Sequence, residues 1–287
     1  MKSRYLRIAL PLLAVALTNP ATAADYVSTV TSTNPLAYFQ LNGNDQPSTN
    51  GAYTTSYANV GTSAAGTGAP IAANPANAAA SFDGFGSDSI VTTSVTGSIS
   101  ARGSINAWVN LAQLPAVAGR IFYIAGESQF GNDFDFQIES DNQLRFFTGS
   151  GENTAAAFDP SLIGQWVMVT ASYDATLGSG SFRRVYINGA LAGSYSGLVS
   201  DEIKTAPFTV GYSPVFGNRE FAGLIDEVAV WDRGLSDAEV SAIYASRGQP
   251  AVASVPEPAT WAAMVCGFGM IGASARRRAK TAGVVLG

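Results

Sequence analysis

Histidine is absent from all 287 residues, and cysteine occurs once, at Cys266. The first absence excludes Ser-His-Asp and Cys-His catalysis and any His-ligated zinc site. The second excludes a disulfide framework, so the fold must stand on packing alone. Charge is sparse as well: Asp, Glu, Lys and Arg make up 13% of the chain. The basic residues are unevenly placed. Lys2, Arg4, Arg7, Arg276, Arg277, Arg278 and Lys280 sit at the two ends, so nine of the 16 fall between Ala24 and Val255, against 20 of the 21 acids. A segment that acidic repels phosphate backbones, which argues against nucleic acid as a partner. It is compatible with Ca²⁺ and with neutral glycans. What is abundant is apolar: 47% hydrophobic residues can bury a real core, so the chain is no disordered acidic tail.

The two ends read as targeting segments. Lys2, Arg4 and Arg7 make a positive start, Ile8–Leu17 an apolar run too short to span a bilayer comfortably, and Ala21-Thr22-Ala23 a small-x-small cleavage site. Residues 1–23 are therefore expected to be a signal peptide, cut near Ala23 or Ala24. At the other end Pro256-Glu257-Pro258 precedes an apolar stretch from Ala259 to Ala275, then Arg276-Arg277-Arg278. The stretch is just long enough to cross a membrane, and the arginines would hold its end on the cytoplasmic side. Length and flanking charge alone would also fit an ordinary C-terminal anchor.

Between them, short apolar runs alternate with Gly, Asn, Ser and Asp turns, the pattern of an antiparallel all-β domain. Ile105, Ala107 and Val109 share one parity, with Trp108 on the other; Phe134, Phe136 and Ile138 alternate with Asp133, Asp135, Gln137 and Glu139. Trp166–Tyr173 and Phe221–Trp231 are long strands. Asn188-Gly189 joins Arg184–Ile187 to Leu191–Ser194, because a type I′ hairpin needs positive φ at both turn positions. One helix stands out: Ser236 and Glu239 form a capping box, with Leu235 and Val240 as the hydrophobic staple. Val240, Ile243 and Tyr244 make its apolar face, and Gly248 can stop it. Residues 42–80 have little periodicity and are expected to be a surface excursion with one short strand.

Two resemblances follow from these residues. The tail VPEPATWAAMVCGFGMIGASARRR resembles the PEP-CTERM sorting signal of Gram-negative bacteria, in which an exosortase, a membrane cysteine protease-transpeptidase, recognises Pro-Glu-Pro. The middle resembles laminin-G-like domains of the concanavalin A-like type. Ala37-Tyr38-Phe39-Gln40-Leu41, Ala80-Ser81-Phe82-Asp83-Gly84 and Ile105-Asn106-Ala107-Trp108-Val109 match three of their strands. Gly164-Gln165-Trp166 through Tyr173-Asp174, Val185-Tyr186-Ile187-Asn188-Gly189, and Phe221 through Trp231 into Leu235-Ser236 match three more, in the family's order. Asn106 departs from the usual Glu, and Val167-Met168 from a common His pair. With the signal peptide over 1–23, the resemblances imply an antiparallel two-sheet jelly roll over 24–249 with one short C-terminal helix, a linker over 250–255 and a sorting segment with a transmembrane helix over 256–280.

Few residues are placed for chemistry. Asp226 shares strand parity with Leu224, Val228 and Val230, the expected core face, so its carboxylate must be paired or bound to a metal. The resemblance implies Ca²⁺ there; the alternative is a carboxylate accepting backbone N–H bonds or an Arg. Asp83 is a second candidate, though Asp-Gly is commonly a simple turn. Asp133-x-Asp135-x-x-x-Glu139 has the spacing of the acidic strand of laminarinase-type hydrolases, but begins one methylene short, and a solvated strand face is the reading preferred. Tyr53, Tyr57, Tyr123, Tyr212 and Phe216 lie in or near loops, where aromatics can stack on sugars. The expected function is a non-catalytic adhesion or carbohydrate-recognition module. It would be exported through the Sec pathway to the envelope or exterior of a Gram-negative bacterium and held briefly in the inner membrane. Processing by an exosortase-type protease and association with exopolysaccharide or surface glycans would follow. A glycoside hydrolase of the same fold and a passive matrix protein are the alternatives.

Overall fold

Alternation at period two puts one face of each strand toward a partner sheet, and the chain closes into two such sheets. The structure, a computed structural model, describes residues 25–43, 55–72, 74, 76–86, 88–92, 95, 101–128, 133–149, 152–197 and 206–248. The expected signal peptide, with Ala21 and Ala23, lies outside these residues. So do the linker, Pro256, Glu257, Pro258, the C-terminal helix and Arg276 to Arg278. Among the described residues no helix is long and apolar enough to cross a membrane.

In chain order the elements are α1 (Tyr26–Ser32), β1 (Ala37–Phe39), β2 (Ser56–Ala58), β3 (Gly61–Thr62), β4 (Ala80–Asp83), β5 (Ser89–Thr92) and β6 (Arg102–Leu111). Then come α2 (Pro115–Ala118), β7 (Phe122–Glu127), β8 (Asp133–Ile138), β9 (Gln143–Gly149), β10 (Glu152–Ala157) and β11 (Val167–Asp174). The last are β12 (Phe182–Ile187), β13 (Ala190–Ser196), β14 (Phe208–Val210), β15 (Ala222–Trp231) and α3 (Asp237–Ser246). All pairings are antiparallel. One sheet runs β13-β12-β11-β6-β15-β4-β3, with β1 also on β15; the other runs β10-β9-β8-β7-β14-β5-β2.

The inter-sheet core takes the parities read from the sequence. Ile105, Ala107 and Val109, with Tyr173 on the neighbouring β11, face Phe134, Phe136, Ile138 and Phe146 of the opposite sheet, all buried. Phe134, Phe146 and Tyr173 meet with ring centroids 5.4–5.8 Å apart. Each such ring contributes roughly 1.5–3 kcal/mol by leaving water. The Asn188-Gly189 hairpin forms with both residues at positive φ, 50° and 78°. A β-carbon at Gly189 would stand 2.7 Å from that of Tyr244, so the turn needs glycine for space as well as for φ.

A second core lies on the outer face of the β11-β6-β15 sheet. Trp108, Met168, Tyr186, Ala229 and Trp231 point there and are covered by α1 and α3. The capping box of α3 is complete: Ser236 Oγ accepts from the Glu239 amide at 3.3 Å, and Glu239 Oε2 accepts from the Ser236 amide at 2.9 Å. Arg233, 2.7 Å away, holds the Glu239 carboxyl down at about 2. α1 has no counterpart in the sequence reading. Its first turn is capped by Asp25, which accepts from the Ser28 amide at 2.9 Å, and Tyr26 and Val30, four residues apart, bury one stripe.

Residues 42–80 also depart from expectation. Two short strands form there, and the described residues between Gly66 and Ala79 form a strap rather than a surface excursion, with Ala69, Ile71 and Asn77 buried. It is fastened because its polar groups find partners: Gly66 and Gly68 amides both donate to the Asn77 carbonyl, and the Ala72 amide to that of Arg247.

Candidate functional site

The site grows from an irregularity in β15. Ala222–Ile225 pairs with β4, and Val228–Val230 pairs with β1. Asp226 and Glu227 lie in the gap where one partner gives way to the other. Against β6, Asp226 stands opposite Trp108 and Ala229 opposite Asn106, so two residues, Glu227 and Val228, oppose Ala107. This is a β-bulge, with Glu227 in the left-handed region at φ 52°. An extra residue flips the parity of everything beyond it. Ile225 before the bulge and Val228 and Val230 after it all face the inter-sheet core, while Asp226 does not. The shared core face expected for Asp226, Val228 and Val230 is therefore corrected. Leu224 does share Asp226's parity, and both lie on the outer side.

Both acids are fully buried. Asp226 Oδ1 accepts from the Glu227 amide at 3.0 Å; its Oδ2 accepts from the Ala69 amide at 2.8 Å and from Asn77 Nδ2 at 2.7 Å. Glu227 Oε2 accepts from the Tyr38 hydroxyl, and Oε1 has no hydrogen-bond partner. Neither acid forms an ion pair among the described residues. Burial pushes the Asp226 carboxyl up to about 8, against the pull of its three N–H donors. Burial and then the Asp226 charge push Glu227 well above the carboxylate range. Tyr26 and Tyr38 beside them are raised by the same two causes, burial first and then Glu227.

Ca²⁺ takes six to eight oxygens, and among the described residues no group of three or more His, Cys, Asp or Glu side chains is close enough to share a metal. The pair still fits such an ion in two respects. Glu227 Oε1 is an orphaned buried oxygen. The Asn77 amide lies between Asp226 Oδ2 and the Ala69 carbonyl, 3.3 Å away, and a half-turn would exchange its nitrogen for its oxygen. Asp83, the second candidate, is exposed and accepts from the Phe85 amide at 2.7 Å, which closes a turn.

Directly outside the acid pair the strap forms one wall of a groove of about 850 Å³. Thr67, Ala69, Asn74 and Asn77 line it on one side, Trp166, Ala245 and Arg247 on the other. Trp166 stands just before β11 and is half-exposed; its indole N–H donates to the Thr67 carbonyl at 3.2 Å, which fixes the ring against the strap. Sequence reading treated Trp166 only as the opening of a strand. Its position at a strand end, beside a loop, was the available signal.

The family model described as the Concanavalin A-like lectin/glucanases superfamily matches residues 83–241, more than half of the sequence. The chain belongs to this superfamily. No curated protein matches it in sequence. Solved structures share the fold at low identity. The botulinum neurotoxin type G receptor binding domain is 15% identical with a TM-score of 0.56, covering 74% of this chain and 51% of that one. The receptor binding domain of botulinum neurotoxin D gives 16%, 0.56, 74% and 52%. This chain thus spans about half the length of those toxin domains. Domain 4 of AbnA, a GH43 extracellular arabinanase from Geobacillus stearothermophilus solved with arabinotriose, is 19% identical with a TM-score of 0.51, covering 73% of this chain and 98% of that domain.

The superfamily's name spans lectins and glucanases, so membership alone does not separate binding from catalysis. The acidic strand bears on that question. Its polar face was expected to be solvated and is not: Asp135 and Gln137 are fully buried. Asp135 Oδ1 accepts from the Tyr123 hydroxyl at 2.9 Å and Oδ2 from Ser128 Oγ at 2.9 Å, and Arg219 Nη1 lies 3.6 Å from Oδ2. Arg219 also donates to Gln137 Oε1 at 3.1 Å and stacks on Phe216 at 4.0 Å. Burial, with Asp135 second, raises the Tyr123 hydroxyl well above its usual range. The segment after β14, bearing Ser213, Phe216 and Arg219, thus covers Asp135 and Gln137. β8 pairs with β9 without a register shift, so Asp135 and Glu139, four residues apart, are separated by roughly 13 Å along the chain. The side chain of Asp133 lies outside the described set, as does Tyr53. Of the aromatics singled out from sequence, Tyr123 is buried, Tyr57 packs against the core, and Tyr212 and Phe216 are half-buried. None of these four lines the groove that Trp166 does.

Proposed function

We propose that the concanavalin A-like domain is a non-catalytic carbohydrate-recognition module whose binding site is the groove between the strap and Trp166. One observation carries this reading: an indole held against the strap, with Asn74 and Arg247 around it in a cleft that has no acidic side chain among the described residues lining it. An aromatic face gives a sugar ring its apolar contact, and a few amide and guanidinium groups fix its orientation. The arabinotriose bound by domain 4 of AbnA supports a glycan as the ligand class. A glycan array probed with the full-length chain, run beside a reducing-sugar assay, tests it. Binding without turnover is expected, and Trp166→Ala should weaken it about tenfold or more. Turnover would favour the hydrolase reading, and silence in both assays a passive matrix role.

The same proposal places the domain on an exported protein. Residues 1–23 would be removed as a signal peptide, and Pro256-Glu257-Pro258 with its arginine triplet would be read by an exosortase-type protease, leaving the domain with exopolysaccharide at the cell envelope. Glu257→Ala should leave a precursor in the inner membrane when the chain is expressed in its own host. Normal maturation of that variant would reduce the tail to a plain anchor. A Ca²⁺ ion belongs to the proposal too. Asp226 and Glu227 would hold it, with the Asn77 amide oxygen. It would supply the positive charge that the buried acids lack and fasten the strap that walls the groove.

A further inference from the structure

Eight arginines fall among the described residues: Arg102, Arg120, Arg145, Arg183, Arg184, Arg219, Arg233 and Arg247. Arg120, Arg145, Arg184, Arg219 and Arg233 are each paired with a carboxylate. Arg183 is buried, and Arg102 stands on the exposed end of β6. Arg247 is different. It forms no ion pair among the described residues, yet it is held firmly: Nη1 donates to the Tyr244 carbonyl at 2.7 Å, and the guanidinium lies 3.6 Å over the Tyr244 ring. Its own carbonyl accepts from the Ala72 amide, which ties the end of α3 to the strap. Arg247 lines the groove, and among the described residues no Asp or Glu does.

We propose that the groove selects glycans that carry a carboxylate, that is, uronic-acid residues, and that Arg247 reads the carboxylate. This rests on the carbohydrate reading above. A stacked guanidinium keeps part of its planar fork free and pre-oriented, and that fork matches a carboxylate bidentately. The rest of the domain is acidic, with 20 acids against nine basic residues between Ala24 and Val255, so it repels a polyanion everywhere else. A single cation accepts one carboxylate at a time. Such a site engages one acidic sugar with its ring on Trp166, not a densely charged strand. Asn74 also lines the groove and remains for a hydroxyl group.

The test uses oligosaccharides of galacturonate, glucuronate and mannuronate, each beside its methyl ester, titrated calorimetrically into the full-length chain. The ester keeps the ring stereochemistry and removes the charge. At least one acid should bind about tenfold more tightly than its ester, the scale of one charged hydrogen-bonded contact. That advantage should shrink as salt is raised, because the guanidinium is half-exposed. Arg247→Gln should level acid and ester, while Trp166→Ala should weaken both alike. Equal binding of acid and ester by the wild type overturns the proposal without recourse to any variant. So does a preference that survives Arg247→Gln; in either case the carbohydrate reading stands. If neither acids, esters nor neutral oligosaccharides bind, the carbohydrate reading fails and this proposal fails with it.

Discussion

Stripping divalent cations with EDTA is expected to lower the melting temperature of the full-length chain by about 5–10 °C, and excess Ca²⁺ to restore it. Two neighbouring acids stand at zero exposure with no basic partner among the described residues. Two adjacent buried charges of one sign are untenable at several kcal/mol each, so either protons or a cation must neutralise them. The raised Asp226 and Glu227 carboxyls show the strength of that demand. A cation that binds the native state alone stabilises it by mass action, about 2.7 kcal/mol at a hundred times its dissociation constant. Asp226→Asn keeps the shape and the hydrogen-bond acceptor but loses the charge, so its melting temperature should no longer respond to EDTA. The strap should loosen with the ion, because Ala69 and Asn77 hold to Asp226. A wild-type melting curve that ignores EDTA after exhaustive dialysis would reject the ion. Asp226 would then be a hydrogen-bonded acceptor and nothing more.

The regular parts of the fold were legible because they obey period two. Ile105, Ala107 and Val109 and the Phe134-Phe136-Ile138 triplet needed only alternation, and Asn188-Gly189 and Ser236–Glu239 announced their turn and cap by chemistry. α1 was illegible because its sequence, YVSTVTS, is rich in β-branched residues, and its helical form depends on the docking of Tyr26 and Val30 among Trp108 and Trp231. Asp226 was placed on the wrong face because counting by twos cannot see an extra residue. The bulge is a tertiary solution, in which β15 exchanges β4 for β1 and turns both acids out of the core. Asp135 and Gln137 were read as solvated because they alternate with apolar residues. Alternation tells which face a residue shares and not what covers that face, and here Arg219 and Phe216 arrive from about 80 residues downstream. The groove was missed for the same reason. Trp166 and the strap residues are about 100 positions apart, and no local pattern joins them.

Asp135→Ala should destabilise the domain by about 3–5 kcal/mol, the usual cost of leaving a buried charge without its partner. Asp135 serves as acceptor for the Tyr123 and Ser128 hydroxyls and as counter-charge for Arg219, all inside a covered face. Ser128 in turn takes the Ser213 hydroxyl at 2.8 Å, so the network joins β7, β8 and the segment after β14. Removing the carboxylate takes the acceptor from two buried hydroxyls and the counter-charge from Arg219, which keeps Gln137 and the Phe216 ring. For a domain of this size the melting temperature should fall by about 10 °C. Asp135→Asn should fall less, since its amide oxygen can still accept from Tyr123 while its neutral amide no longer balances Arg219. A catalytic Asp135 would behave in the opposite way, because the asparagine variant would keep its stability and lose an activity on glycans. Thermal melts and a reducing-sugar assay on both variants separate the two roles. A melting temperature for Asp135→Ala within about 1 °C of wild type would show that the carboxylate is not a structural tie. Glycan turnover lost only in the variants would return the acidic strand to the hydrolases.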